Sequence, residues 1–218
     1  ARFDGTADAW QHEVPAFNTL AVECIAAPDA ALLPRVPGLA DALFQSDGTM
    51  TKQEIRAATL AKLMPMRGAL LWDIGCGSGS VAIEWMRAAR YARAIGIEPR
   101  ADRRAMAGAN AMALGAPKLE LVDGMVPDAL GGLPAPDAIF IGGGLSRPTF
   151  DAAWAALRPL GRLVANAVTL ESEAELMALH AEFGGELVRI SVCRAEPVGR
   201  LTGWRPSMPV TQWSLVKR

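Results

Sequence analysis

Asp73, the alternate glycines Gly75, Gly77 and Gly79, and Glu98 are the residues of this chain whose types and spacing best suit chemistry on a small ligand. The apolar run Leu70-Leu71-Trp72 leads into the Asp73 carboxylate, and Cys76 and Ser78 stand between the glycines. Such a turn lets a ligand approach the backbone closely. A dinucleotide fingerprint, GxGxxG, would put its third glycine at position 80, which is Ser80. Its pyrophosphate would also rest near Asp73, where a carboxylate repels phosphate and attracts a cation. S-adenosylmethionine meets both conditions, because it carries an ammonium and a sulfonium and no phosphate. Asp73 is then expected to orient the ammonium, directly or through water, with Gly75, Cys76, Gly77, Ser78 and Gly79 under the methionine end. Glu98 closes the next apolar run and is placed to accept from both ribose hydroxyls. Dinucleotide folds use an acid in the same way, so Glu98 alone does not separate the cofactors. Gly124, Met125 and Val126 follow the third such run, where adenine is expected. Met125 packs on the ring and Val126 offers its backbone N–H, or both are plain core.

These residues need a scaffold that brings strand ends together. A Thr-x-x-Glu pattern at Thr51 and Glu54 predicts a capping box, and a helix that stops near Pro65. Strands are predicted over residues 69–74, 92–98, 119–122, 137–141 and 161–168. Helices are predicted over about 80–90, from Pro99 to Leu114, over 147–157 and over 171–183. Alternation of this kind implies right-handed crossovers and a mostly parallel sheet covered on both faces. Residues 186–195 and 210–217 break the rhythm, with no room for a crossover helix between them, and are expected to pair antiparallel. The predicted fold is α/β and Rossmann-like, a mostly parallel sheet with a C-terminal antiparallel hairpin. Residues 1–39, interrupted by Pro15, Pro28, Pro34 and Pro37, read as a linker or the tail of an upstream domain; residues 40–218 read as the domain itself.

Composition narrows the partners. A net charge of −1 over 218 residues gives no support for general nucleic-acid binding, which favours a basic face. Three cysteines without CxxC spacing read as free thiols in a reducing compartment, and two distant histidines do not suggest a metal site. No apolar run reaches the ~20 residues of a membrane helix, and no signal-peptide pattern opens the chain, so the expected location is cytoplasmic.

Several further stretches are particular: Met50-Thr51-Lys52-x-Glu54-x-Arg56, Pro127-Asp128-Ala129-Leu130, Ile141-Gly142-Gly143, residues 161–171 (including Ala165-Asn166-Ala167-Val168-Thr169-Leu170-Glu171) and Pro209-Val210-Thr211-Gln212-Trp213. With the glycine turn, they make residues 40–218 resemble the class I methyltransferases of cobalamin (vitamin B12) biosynthesis, the decarboxylating branch that methylates carbon 15 of a precorrin. Residues 15–25 resemble the closing segment of a fused N-terminal methyltransferase half, which would act on carbon 5. The resemblance implies S-adenosylmethionine as donor, S-adenosylhomocysteine as product, a tetrapyrrole substrate and a homotetramer. Carried over by position, Thr51, residues 75–79, Glu98 and Val126 contact the cofactor. Relatives often have Gly-Asp-Ala where this chain has Gly124-Met125-Val126, so no side-chain bond from that acid to adenine is implied. Asp123 stands two positions too early to replace it.

On the substrate side, peripheral carboxylates call for basic residues, since Arg pairs with them bidentately. Arg147, Arg200 and Arg205 are candidates, against the plain reading of solvated surface charges. Gly143, in the triple glycine 142–144, is a place for a flat ring to meet the backbone, and Asn166 can hydrogen-bond to substrate. Other function classes stay open at this point: a class I methyltransferase acting on RNA, protein or another small molecule, and a nucleotide-binding module without chemistry. Within the first of these, amino-group methylation usually shows a [DN]-P-P-[YF] motif after the fourth strand, where this chain has Ile141-Gly142-Gly143-Gly144.

Overall fold

The computed structural model describes residues 1–30 and 33–218. The chain divides into two units, residues 1–32 and 33–218. The first holds no helix or strand among its described residues, and the apolar run from Leu20 to Ile25 forms no strand.

In the second unit the alternation read from the sequence is realised as β1 (Leu70–Ile74), α2 (Ser80–Ala88), β2 (Arg93–Ile97), α3 (Ala101–Ala113), β3 (Glu120–Val122), β4 (Ala138–Ile141), α4 (Arg147–Ala156), β5 (Arg162–Ala167), α5 (Leu170–Phe183), β6 (Glu186–Ile190) and β9 (Val210–Val216), preceded by α1 (Gln53–Leu63). Seven strands form one sheet in the order β3-β2-β1-β4-β5-β9-β6. The first five run parallel, while β9 pairs antiparallel with both β5 and β6. This is the expected mostly parallel sheet with an antiparallel C-terminal pair.

β1 is buried along its whole length because both faces of the sheet are covered. Leu70, Trp72 and Ile74 join a cluster with Phe150, Ala153, Leu176 and Leu179 from α4 and α5. Leu71, on the other face, packs with Leu60 and Leu63 of α1 and with Val81 and Trp85 of α2. The period-2 alternation therefore turns Asp73 toward α1 and α2.

Two elements depart from the sequence reading. Residues 186–195 are not one strand: the chain breaks after Ile190, and Cys193–Val198 (β7) pairs with Leu201–Pro206 (β8) as a separate two-stranded ribbon inside the connection. Thr51 is not the cap of α1. The chain stays extended through Lys52, the helix begins at Gln53 without a side-chain cap, and the Thr51 carbonyl is taken by the Arg56 guanidinium. At the other end of α1, Met64 in the left-handed conformation closes the helix before Pro65.

Residues 38–52 form a strap held by side chains rather than by regular structure. The Gly38 and Leu39 N–H groups donate to the Glu84 carboxylate at 2.6 and 3.0 Å. Asn110 accepts from the Gln45 N–H and donates back to the carbonyls of Gln45 and Ser78. Arg103 clasps Asp47, and Arg56 clasps Thr51, Leu39 and Asp41.

Candidate active site

The carboxyl ends of the parallel strands open into one cavity of about 650 Å³. Following the sheet edge, its wall is made by Gly124, Met125 and Val126 after β3, Glu98 after β2, residues 75–78 after β1, residues 142–144 after β4, and Asn166 at the end of β5. Thr49, Met50 and Thr51 of the strap, which leads into α1, line it as well. Of the residues expected to hold a cofactor, Thr51, Asp73, Gly75, Cys76, Gly77, Ser78, Glu98, Gly124, Met125 and Val126 all line this cavity.

Gly79 does not. It opens α2 at φ +75°, and a Cβ there would lie 3.1 Å from that of Ala107, so the third glycine lets α2 start tightly against α3. Gly75, at φ +70°, sits so close to Gly143 that a Cβ would come within 2.9 Å of the Gly143 Cα and N. The loops after β1 and β4 thus touch backbone to backbone, which forms the cavity floor.

The two acids are buried and used differently. Glu98 accepts from the Gly77 N–H and the Arg100 N–H, both at 3.1 Å, so it braces the glycine turn as well as facing the cavity. Asp73 accepts through Oδ2 from the Ala82 N–H at 3.0 Å, while its Oδ1 is buried with no partner among the described residues. Burial pushes the Asp73 carboxyl up to about 7; the Ala82 N–H opposes this and the nearby Glu98 charge adds to it. An unpartnered carboxylate oxygen in a glycine-floored cavity is suited to a cationic ligand group, because a buried charge gains most from a direct partner. The Cys76 thiol is pushed up by burial and by the charges of Asp73 and Glu98, which keeps it protonated and non-nucleophilic.

Asn166 also lines the cavity, with its amide held from behind. Its Nδ2 donates to the Thr59 hydroxyl at 3.1 Å and its Oδ1 accepts from Gln212 Nε2 at 3.0 Å; Gln212 also donates to Thr59. Gly143 lines the cavity too. Arg147 does not. Its guanidinium is taken by Asp151 one turn along α4 and by Glu182 of α5, and lies over the Phe183 ring. Arg205 pairs with Glu196 across the ribbon, and Arg200 is exposed in its turn. The basic residues that do reach the cavity are Lys52, Arg100, Arg103 and Arg194, none of which the sequence reading selected. Lys52 had a signal in its place beside Thr51; Arg194, in the ribbon, had none.

Comparison with known proteins follows this geometry. A family model described as a precorrin methyltransferase domain matches residues 42–217. The precorrin-6Y C(5,15)-methyltransferase [decarboxylating] of a Sinorhizobium species is 54% identical over 201 residues, which is 92% of this chain and 49% of that protein. The chain thus spans about half the length of that relative. A "Probable cobalt-precorrin-6B C(15)-methyltransferase (decarboxylating)" of Pyrobaculum calidifontis is 35% identical, and there the match covers 80% of this chain and 93% of the relative. Among solved structures, the C-terminal domain of precorrin-6Y C5,15-methyltransferase from Rhodobacter capsulatus superposes with a TM-score of 0.80 at 51% identity, over 85% of this chain and 100% of that one. With the match running from the strap through the glycine turn and Asn166 to β9, this chain belongs to the precorrin methyltransferase domain family.

Proposed function

We propose that this chain transfers a methyl group from S-adenosylmethionine to carbon 15 of a precorrin, with loss of the carbon-12 acetate carboxyl as carbon dioxide. The observation that carries this is the match, over 93% of its length, to a relative named for carbon-15 methylation and decarboxylation alone. What supports the donor is that Asp73, with its unpartnered Oδ1, Glu98, Met125 and Val126 all line one cavity. In this reading Asp73 orients the ammonium, directly or through water, Glu98 takes the ribose hydroxyls, and Met125 and Val126 border the adenine. When bound, S-adenosylmethionine supplies a methyl group made electrophilic by its sulfonium.

The protein's own task is positioning. A precorrin bridging carbon is already electron-rich, so alignment lowers the barrier by several kcal/mol without an acid or base from the chain. The bare backbone of Gly142 and Gly143 admits a flat ring close to the donor site, and the Asn166 amide, fixed by Thr59 and Gln212, offers it a directed polar contact. For the decarboxylation, the conjugated macrocycle itself accepts the electron pair left by carbon dioxide.

Incubation with precorrin-6Y and methyl-labelled S-adenosylmethionine tests the reading. Mass spectrometry should show one labelled methyl gained and carbon dioxide lost; a product with neither change refutes it. Glu98→Ala should weaken S-adenosylhomocysteine binding by about 1.5–3 kcal/mol, the range for hydrogen bonds to a charged group. Calorimetric titration checks this, and unchanged affinity removes Glu98 from the site.

A further inference from the structure

The charged groups of the cavity wall fall into two sets. At the ends of β1 and β2 stand the buried carboxylates Asp73 and Glu98, with Arg100 and Arg103 beside them committed to Asp47; where the chain enters α1 the wall carries Lys52 and Arg194, with Glu54 paired to Arg194. Lys52 is half-buried where the chain enters α1, and it joins no salt bridge among the described residues. The acids nearest in sequence on either side, Asp47 and Glu54, are engaged by Arg103 and Arg194.

Arg194 belongs to β7, and its bond to Glu54 links residues 140 apart, tying the ribbon to the first turn of α1. The side chains of this pair are 37% and 45% exposed, and a pair so wet contributes at most about 1 kcal/mol. It holds the guanidinium in place yet gives way to a better-placed carboxylate. The rest of this end is apolar or neutral, with Ile55, Val168 and Met208 beside Asn166 and Ser207. An apolar wall with two cations suits a broad apolar body that carries carboxylates at its rim.

The geometry points to Lys52 and Arg194 as specificity-determining anchors for two peripheral carboxylates of the substrate, with Glu54 holding Arg194 until a substrate carboxylate replaces it. This rests on the precorrin reading above. The exchange swaps one carboxylate for another on the same guanidinium, so no proton moves and no covalent bond changes.

The experiment compares precorrin-6Y as the free acid with its methyl esters, by absorbance titration and by turnover, on the wild type and on Lys52→Met, Arg194→Met and Glu54→Gln. Each Met variant should weaken the free acid about tenfold or more, since each removes a charge-assisted bond, and should leave the ester's weaker binding unchanged. Glu54→Gln should tighten the free acid by removing the nearer of the two carboxylates that compete for Arg194, Asp41 standing 3.8 Å from it. S-adenosylhomocysteine affinity should stay within about twofold in all three, a range too small for the loss of one hydrogen bond.

Equal losses for acid and ester, or a loss of S-adenosylhomocysteine binding with the acid unaffected, overturn the assignment; the latter would give these cations to the cofactor carboxylate. If the wild type binds the acid in preference to the ester but transfers no methyl, the proposed function fails and the anchors stand. If it binds neither form, both fail.

Discussion

Replacing Arg56 with methionine lowers the unfolding free energy by about 3–5 kcal/mol, the cost of breaking a buried ion pair from one side. Arg56 has no exposed side-chain surface, and Nε donates to Glu84 at 2.6 Å. Its other nitrogens serve the carbonyls of Leu39 and Thr51 and the Asp41 carboxylate, and its plane lies 4.7 Å over the Phe44 ring. One guanidinium thus joins α1, α2 and three points of the strap, whose residues Thr49, Met50 and Thr51 line the cavity. Methionine fills the volume but strands Glu84 with only the Gly38 and Leu39 N–H groups. Lysine keeps the charge and cannot reach all four acceptors in one plane, so Arg56→Lys should fall between methionine and wild type. The double variant Arg56→Met, Glu84→Gln should recover part of the loss, because it removes the orphaned charge. Urea denaturation at fixed pH measures all three. A change below about 1 kcal/mol for Arg56→Met would mean that the pair is no more than a surface salt bridge in effect. In the variants that fold, S-adenosylhomocysteine should bind more weakly because Thr51 is no longer anchored, and that readout separates placement of the strap from bulk stability.

The contrast between Arg56 and Asp73 shows what could be read in the chain and what could not. Asp73, the glycines and Glu98 were legible because their relation is local: each acid ends a strand, and the glycines follow one of them directly. The sheet was legible for the same reason, since helices and strands alternate with clear changes of period. The strap was not. Thr51 and Glu54 form a sound capping pattern, but the Thr51 carbonyl is captured by Arg56, and α1 starts two residues later. The ribbon escaped because β7 and β8 bury little of either face, so no hydrophobic alternation marks them. Arg194 meets Glu54 only through that ribbon. Arg147 could have been set aside from the start, because Asp151 stands four residues on and i,i+4 pairs of this kind share a helix face.

Asp73→Asn should stabilise the ligand-free protein at pH 8 while removing most of its affinity for S-adenosylhomocysteine. In the folded chain burial raises the Asp73 carboxyl to about 7 from an ordinary value of 3.8, so the folded state holds the proton more tightly than the unfolded state. The sign is therefore opposite to that of a salt-bridged acid. This group favours folding below about pH 4 and loses its contribution as the pH rises through about 7, by roughly 4 kcal/mol in all. Asparagine stays neutral throughout and can still accept from the Ala82 N–H, although its amide N–H₂ then faces the place left by Oδ1 at a cost of about 1–3 kcal/mol. The net gain should be about 1–3 kcal/mol at pH 8, and at pH 4 the variant should be equal to the wild type or less stable. Thermal unfolding at the two pH values gives the comparison. Binding carries the complementary signature: the wild type should bind S-adenosylhomocysteine more tightly as the pH rises toward 7 and level off above it, as the carboxylate forms to meet the ammonium. The variant should bind about a hundredfold more weakly with no such rise, as expected for losing a charge-assisted bond in a buried site. Glu98→Ala should move the wild-type midpoint downward, because the Glu98 charge is one of the causes of the raised value. A wild-type affinity that is flat from pH 5 to pH 8 would show that the carboxylate is ionised throughout, and that the unpartnered oxygen is satisfied by something other than the cofactor ammonium.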